Sequence, residues 1–198
     1  MNRRTVLGGA AALGSGALGP MAAMAHQRRG RFQGMVLLDR SAPRAQSFAH
    51  VARRLGAQVA FTDGDLTDLW TQDLEQRWRA APAMMAGLTR PGAVSFLQLM
   101  GQRNRMRLVV RIDHQLMQTG VRHDGFVPAP LAARARKELA ADWITGAAGL
   151  VIADAVAGQP TAFSFETDGG VSRGQEDRFV SWLIAPVRAV PVSTARTA

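Results

Sequence analysis

Two stretches pair a carboxylate with an imidazole: Asp113-His114 and, close by, His123-Asp124. An imidazole that carries a proton and a carboxylate that orients it are the minimum set for general acid–base work. Asp39, Asp113 and His114 are therefore the candidate catalytic groups, for a flavin- or metal-dependent reaction. Neighbours on a strand point to opposite faces, which places Asp113 and His114 poorly for pairing with each other. His114, His123 and Asp124 also offer metal-binding atoms, without the ligand spacing that marks a metal site. The chain has no cysteine, which excludes disulfides, thiolate-held zinc, cysteine-ligated iron–sulfur clusters and a cysteine nucleophile. Ser164 and Ser181 lack the Gly-rich elbow of a serine hydrolase. No cofactor is expected, and the balance leans away from an enzyme.

A different chemistry is suggested by "DRSAPR" and "GLTRPGAV". In each, an apolar run gives way to polar residues where a helix should begin. A helix N-terminus presents free N–H groups and the positive end of its dipole, which suits an anion. Arg40 and Ser41 in the first turn, and Thr89, Arg90 and Gly92 in the second, are the candidate ligand-binding residues. An arginine adds a planar fork for carboxylate or phosphate, and a glycine lets a ligand approach the backbone. Neither turn is a Walker loop or a Gly-x-Gly-x-x-Gly fingerprint, so a nucleotide is not indicated. Ordinary capping accounts for the same residues.

The elements that must position these groups are set by apolar periodicity. Continuous apolar runs at 34–39, 58–63, 83–89 and 107–114 fit strands buried on both faces. Between them, 42–55, 66–80 and 91–103 carry apolar stripes at helical spacing. Ser41 and Asp65 are the expected N-caps, Gly56 a C-terminal glycine, and Asp73 with Arg77 an i,i+4 pair. Alternating strands and helices predict an α/β fold: an open, mainly parallel sheet of four strands in the order 2-1-3-4, joined by βαβ crossovers. Residues 117–130 read as a loop, 131–144 as a helix, and 149–156 as either a helix continuation or a strand. Residues 161–167 and 179–187 read as two further strands, a small antiparallel addition at the sheet edge. One domain over 34–190 and a loose tail over 191–198 complete the division. This arrangement resembles a flavodoxin-like domain or one lobe of a periplasmic binding protein. The resemblance implies a site outside the carboxyl ends of the strands. The tryptophans at 70, 78, 143 and 182 fall on apolar faces and are read as core.

The N-terminus carries an address. Met1 to Arg4 is short and basic, Thr5 to about Ala22 is mildly apolar and broken by glycines, and Ala23-Met24-Ala25 offers small residues for cleavage before His26. "NRRTVLGG" resembles the twin-arginine (Tat) export signal, with Arg3 and Arg4 as the recognised pair and Asn2 where Ser or Thr is usual. The resemblance implies that residues 1–25 engage the Tat translocase and are removed. It also implies a cargo that crosses already folded into the periplasm or beyond, with no membrane anchor left after cleavage. Residues 26–33, "HQRRGRFQ", then form a basic arm. Its freed His26, with amine and ring nitrogen, is a further candidate copper ligand.

The net charge is +9, two units of which are Arg3 and Arg4, over 198 residues that are 47% hydrophobic and 20% charged. That composition supports a proper core. The arginines are scattered and interleaved with acids, so nucleic acid is not the expected partner. Folded export without a catalytic constellation points to a binding or accessory subunit working with another exported protein, a redox enzyme being one such partner. The alternatives are a small-anion binder at the strand carboxyl edge and an enzyme at the same edge.

Overall fold

The computed structural model describes residues 32–152, 158–168 and 177–187. The export signal with its cleavage residues, His26 in the arm and the tail 191–198 lie outside them. The described residues form an open α/β structure: a mixed sheet of seven strands flanked by five helices. In chain order these are β1 (Met35–Asp39), α1 (Ala45–Arg54), β2 (Gln58–Thr62), α2, β3 (Met85–Thr89), α3 (Pro91–Gln102), β4 (Met106–Leu116), β5 (Gly120–Pro128), α4 (Ala132–Ala141), α5 (Trp143–Ile152), β6 (Pro160–Asp168) and β7 (Arg178–Pro186). The helix α2 has three consecutive parts: Thr67–Leu69, a π-helical turn Trp70–Leu74, and Glu75–Ala80.

The sheet order is β2-β1-β3-β7-β4-β5-β6. The expected 2-1-3 neighbourhood is present, with β1 parallel to both β2 and β3. The expected 3-4 contact is not. The last strand, β7, inserts between β3 and β4 and runs antiparallel to both. A four-stranded, mainly parallel sheet is thus corrected to a larger mixed one, which departs from a flavodoxin-like all-parallel sheet. The reason lies in composition. "FVSWLIA" is apolar on both faces, and only a central place buries both; Phe179 to Ala185 are all buried. By contrast "TAFSFET" alternates, and β6 sits at the edge with every residue at least partly exposed.

The segment read as a loop at 117–130 contains β5 instead. Its Arg122 and Asp124 face outward while Val121, His123 and Val127 are buried. Two charges and an imidazole in a short run hid an ordinary alternation. The ambiguous 149–156 continues the helix α5 as far as Ile152.

One core lies between the sheet and α1, α4 and α5, around Phe48, Leu38, Leu88, Ile112, Leu139 and Ile144. The other lies between the sheet and α2 and α3, around Leu37, Trp70, Trp78, Leu97 and Trp182. Trp70, Leu74 and Trp78 recur every fourth residue. A regular helix would carry each about 40° further off the face. The π turn absorbs that drift and keeps all three buried, with Trp70 edge-to-face against both Trp78 and Phe96. Gly87 has a specific use: a Cβ there would collide with the Leu37 carbonyl oxygen and meet the Trp182 ring at 2.7 Å. Its absence lets the indole lie against β3.

At the start of α1 the expected Ser41 cap is not used. Ser41 is held by Asp39, and the helix starts after Arg44, which is left-handed at φ 52°. Arg44 instead donates twice to Asp142, at 3.0 and 2.9 Å, tying α1 to the α4–α5 junction. Asp65, expected at the N-cap, stands one residue before it and accepts from the Thr67 N–H at 2.8 Å, the N-cap position being Leu66; Gly56 is left-handed at φ 90° and Asp73 pairs with Arg77, as the sequence indicates. That hydrogen bond from Thr67 holds the Asp65 carboxyl below its usual range.

Candidate functional site

β1, β2, β3 and β4 all point their carboxyl ends to one edge, and that edge gathers the candidate groups. Asp39 closes β1 and is buried. Its Oδ1 accepts from the Ser41 N–H at 2.8 Å and from the Ser41 hydroxyl at 2.5 Å. Arg90, at the end of the neighbouring β3, reaches over. Its Nη2 donates to Ser41 Oγ at 3.3 Å, and its Nε stands 4.0 Å from Asp39 Oδ2. Its other side faces Asp177 at 3.6 Å, and its guanidinium lies 5.1 Å over the Phe179 ring. Asp39, Ser41 and Arg90 therefore form one cluster across two strands.

The other residues of the two turns do not join it. Arg40 turns away to Asp63 and the Phe61 ring. Thr89 is fully buried: its hydroxyl accepts the Trp182 indole N–H at 3.0 Å and donates to the Arg90 carbonyl. Gly92 is exposed, with open space where a Cβ would stand, beside a shallow recess lined by Asp65, Thr67 and Phe96.

Asp113 and His114 do point to opposite faces. On the α2–α3 face of the sheet, Asp113 takes two bonds from Arg111, at 2.7 and 3.1 Å, and one from Arg178 at 2.9 Å. Hydrogen bonding to Asp113 raises the Arg111 pKa further. Both Asp113 oxygens are occupied, so it is not placed to orient His114.

His114 lies on the other face, fully buried beneath Trp143, whose ring centroid is 4.6 Å away. Its Nδ1 meets the Nδ1 of His123 at 2.7 Å, and its Nε2 meets Ser181 Oγ at 2.9 Å. The far nitrogen of His123 meets Thr167 Oγ1 at 3.0 Å, and the Thr167 hydroxyl donates to the Val121 carbonyl at 3.4 Å. Val121 O can only accept, which fixes the direction. Ser181 donates to His114, His114 to His123, and His123 to Thr167. Every nitrogen is used with both rings neutral. Burial pushes both imidazoles down: His123 to about 4, and His114 well below its ordinary range, where His123 adds to the effect. Asp124, the third member of the candidate metal set, is on the opposite face, where hydrogen bonds from Ser164 and Arg122 hold its carboxyl low. His114, His123 and Asp124 are thus not brought together. Among the described residues no group of three such side chains is placed to hold a metal.

Periodicity along the chain does not reveal this four-residue chain of hydrogen bonds. Ser181 and Thr167 come from strands whose pairing it leaves open, although Ser181 sits at an interior position of an apolar run.

A second feature lies on the same face as Asp113. The helices α2 and α3 cover β1, β3 and β7 but not β5 or β6. Among the described residues no helix covers the outer face of β4–β5–β6, which carries Arg122, Asp124, Ser164 and Glu166. At its lower end a concavity of about 450 Å³ is lined by Leu108, Val109, Phe126, Pro128, Pro160 and Ala162, with Arg107 and Gly158 at its border. No helix of the described residues is long and apolar enough to cross a membrane. No family model, curated protein or solved structure matches the chain, so function rests on the geometry of the site alone.

Proposed function

We propose that the chain is an exported binding subunit that does no chemistry of its own and receives an extended segment of a partner protein. The observation that carries this reading is the half-covered sheet. Among the described residues β6 pairs only with β5, and its outer row of backbone donors and acceptors is then available to another strand. Beside that row, the concavity at Phe126 offers an apolar seat for alternate side chains of an added strand. The candidate catalytic groups support the same reading, since each is engaged by other side chains of the fold. Residues 1–25 then direct export through the Tat translocase, with cleavage before His26. Replacing Arg3 and Arg4 by lysine should retain the chain in the cytoplasm.

The test is a photo-crosslinker placed at Ala162 in the exported protein. The expected result is one defined adduct, mapped by mass spectrometry to an extended segment of the partner and lost in Phe126→Asp. Adducts only to a second copy, or a yield unaffected by Phe126→Asp, would overturn the partner-protein reading.

One observation favours a second reading. Arg90 is about half exposed and meets its carboxylates only at 3.6 and 4.0 Å, which leaves its fork loosely held. A small carboxylate or phosphate could displace them. Thermal shift with acetate and phosphate should then respond in the native protein and not in Arg90→Ala.

A further inference from the structure

The arginines of this chain are not used alike. At the carboxyl edge Arg40, Arg90, Arg111, Arg122 and Arg178 each have a carboxylate within 4.0 Å. At the amino edge, among the described residues, Arg53, Arg54, Arg103, Arg105 and Arg107 have none and are exposed. Among the described residues, the exposed acids with no cation partner, Asp65, Asp68, Glu166 and Asp168, lie toward the carboxyl edge, at the start of α2 and the end of β6. Unneutralised positive charge is therefore concentrated at the amino edge, Arg136 and Lys137 of α4 being the other exposed cations without a carboxylate among the described residues.

The same end exposes apolar side chains. Among the described residues the exposed large hydrophobics are Leu99, 59% exposed, and Val187, 48% exposed. Leu99 precedes Arg103 by one helical turn at the end of α3. The Val187 N–H donates to the Arg105 carbonyl at 2.7 Å. The turn between α3 and β4 is fixed by the Asn104 and Arg105 N–H groups on Gly101 and Gln102, and by the Asn104 side chain on Met100. Arg105 itself is left-handed at φ 55°, a conformation that glycine adopts at lower cost. Favourable placement at a helix C-terminus explains Arg53, Arg54 and Arg103. It does not explain Arg105 and Arg107, which lie beyond the helix, or the two aliphatic side chains beside them.

We infer that Leu99, Arg103, Arg105, Arg107 and Val187 form a docking surface for an anionic lipid membrane. Arginines drawn to lipid phosphates, interleaved with aliphatic side chains that enter the acyl boundary, are the composition such a surface requires. A nucleic acid backbone would use the arginines and leave Leu99 and Val187 without a role. Arg107 also borders the concavity at Phe126, so this surface adjoins the seat proposed for the partner segment.

The experiment is co-sedimentation of the full chain with vesicles of phosphatidylcholine containing 30% phosphatidylglycerol, or of phosphatidylcholine alone. Binding is expected only to the anionic vesicles and should fade at high salt. Arg103→Gln/Arg105→Gln/Arg107→Gln should lower partitioning on the order of 100-fold with an unchanged circular dichroism spectrum, at roughly fivefold per charge removed near the surface. Leu99→Ser/Val187→Ser should lower it about tenfold at the same net charge. Arg105→Gly should weaken binding without lowering the melting temperature, which separates a functional from a structural arginine. Equal binding to both vesicles, a triple variant that partitions like the native chain, or binding to a DNA oligonucleotide in place of vesicles would each overturn the proposal. So would loss of all binding on replacing Arg28, Arg29 and Arg31 of the arm alone.

Discussion

The two halves of the sheet solve different problems. Around β1, β3 and β7 both faces are covered, and the side chains there are apolar or, like Thr89, closed off by a partner such as the Trp182 indole. Around β4, β5 and β6 one face is covered and the other, among the described residues, is open. The covered face hides a polar chain of Ser181, His114, His123 and Thr167. The open face carries the ion pairs Arg111–Asp113, in which Asp113 is buried, and Arg122–Asp124, which is exposed. The first half supplies stability through packing. The second accepts buried polarity on one side and exposure on the other, which is expected where a surface is kept for binding.

On this contrast, damage to the closed half should be the most severe. Trp182→Ala removes a fully buried indole and its bond to Thr89, and should cost about 3–5 kcal/mol by urea unfolding. A cost below about 1 kcal/mol would place the stabilising core elsewhere.

The histidine chain is the next test. Both rings have pKa values below that of an unfolded histidine, so the unfolded chain binds protons that the native chain refuses. Stability is then complete above about pH 6.5 and falls as pH drops towards about 4, by on the order of 1 kcal/mol per pH unit for each histidine. Melting temperature measured across pH 7 to 4.5 should show this slope, and His123→Gln should flatten it. The paired aspartates Asp124 and Asp142, whose carboxyls are held low, add their loss only at still lower pH.

Ser181→Ala leaves the buried His114 Nε2 without its hydrogen bond and should cost about 1–3 kcal/mol. Replacement by threonine should recover part of that if the hydroxyl is what matters. At the bottom of the scale, Arg122→Ala on the open face removes an exposed ion pair and should change stability by less than about 0.5 kcal/mol. A larger loss would mean that the open face is structural after all.

Much of the first half is legible in the sequence, because its strands are uniform apolar runs separated by amphipathic helices. Asp39, Ser41 and Arg90 stand out as the polar residues just past the ends of such runs, and the adjacency of β1 and β3 brings them together. The second half is harder for identifiable reasons. β5 reads as a loop because its outward residues are charged and one of its buried residues is a histidine. β7 reads as an edge strand because sequence order suggests that the last strand is added last in space, although its two apolar faces argue for the centre. The meeting of His114 with His123, Ser181 and Thr167 depends on register between four strands, which periodicity within one strand does not contain.

The central place of β7 also governs when the fold can form. Leu88 pairs with Ser181, and Ile112 with the same residue from the other side. Until β7 has been synthesised, β3 and β4 each present an unpaired apolar flank. Such long-range closure makes for a high contact order and slow folding. A chain shortened before Arg178 would not be a smaller version of the same protein but two strand edges inviting aggregation.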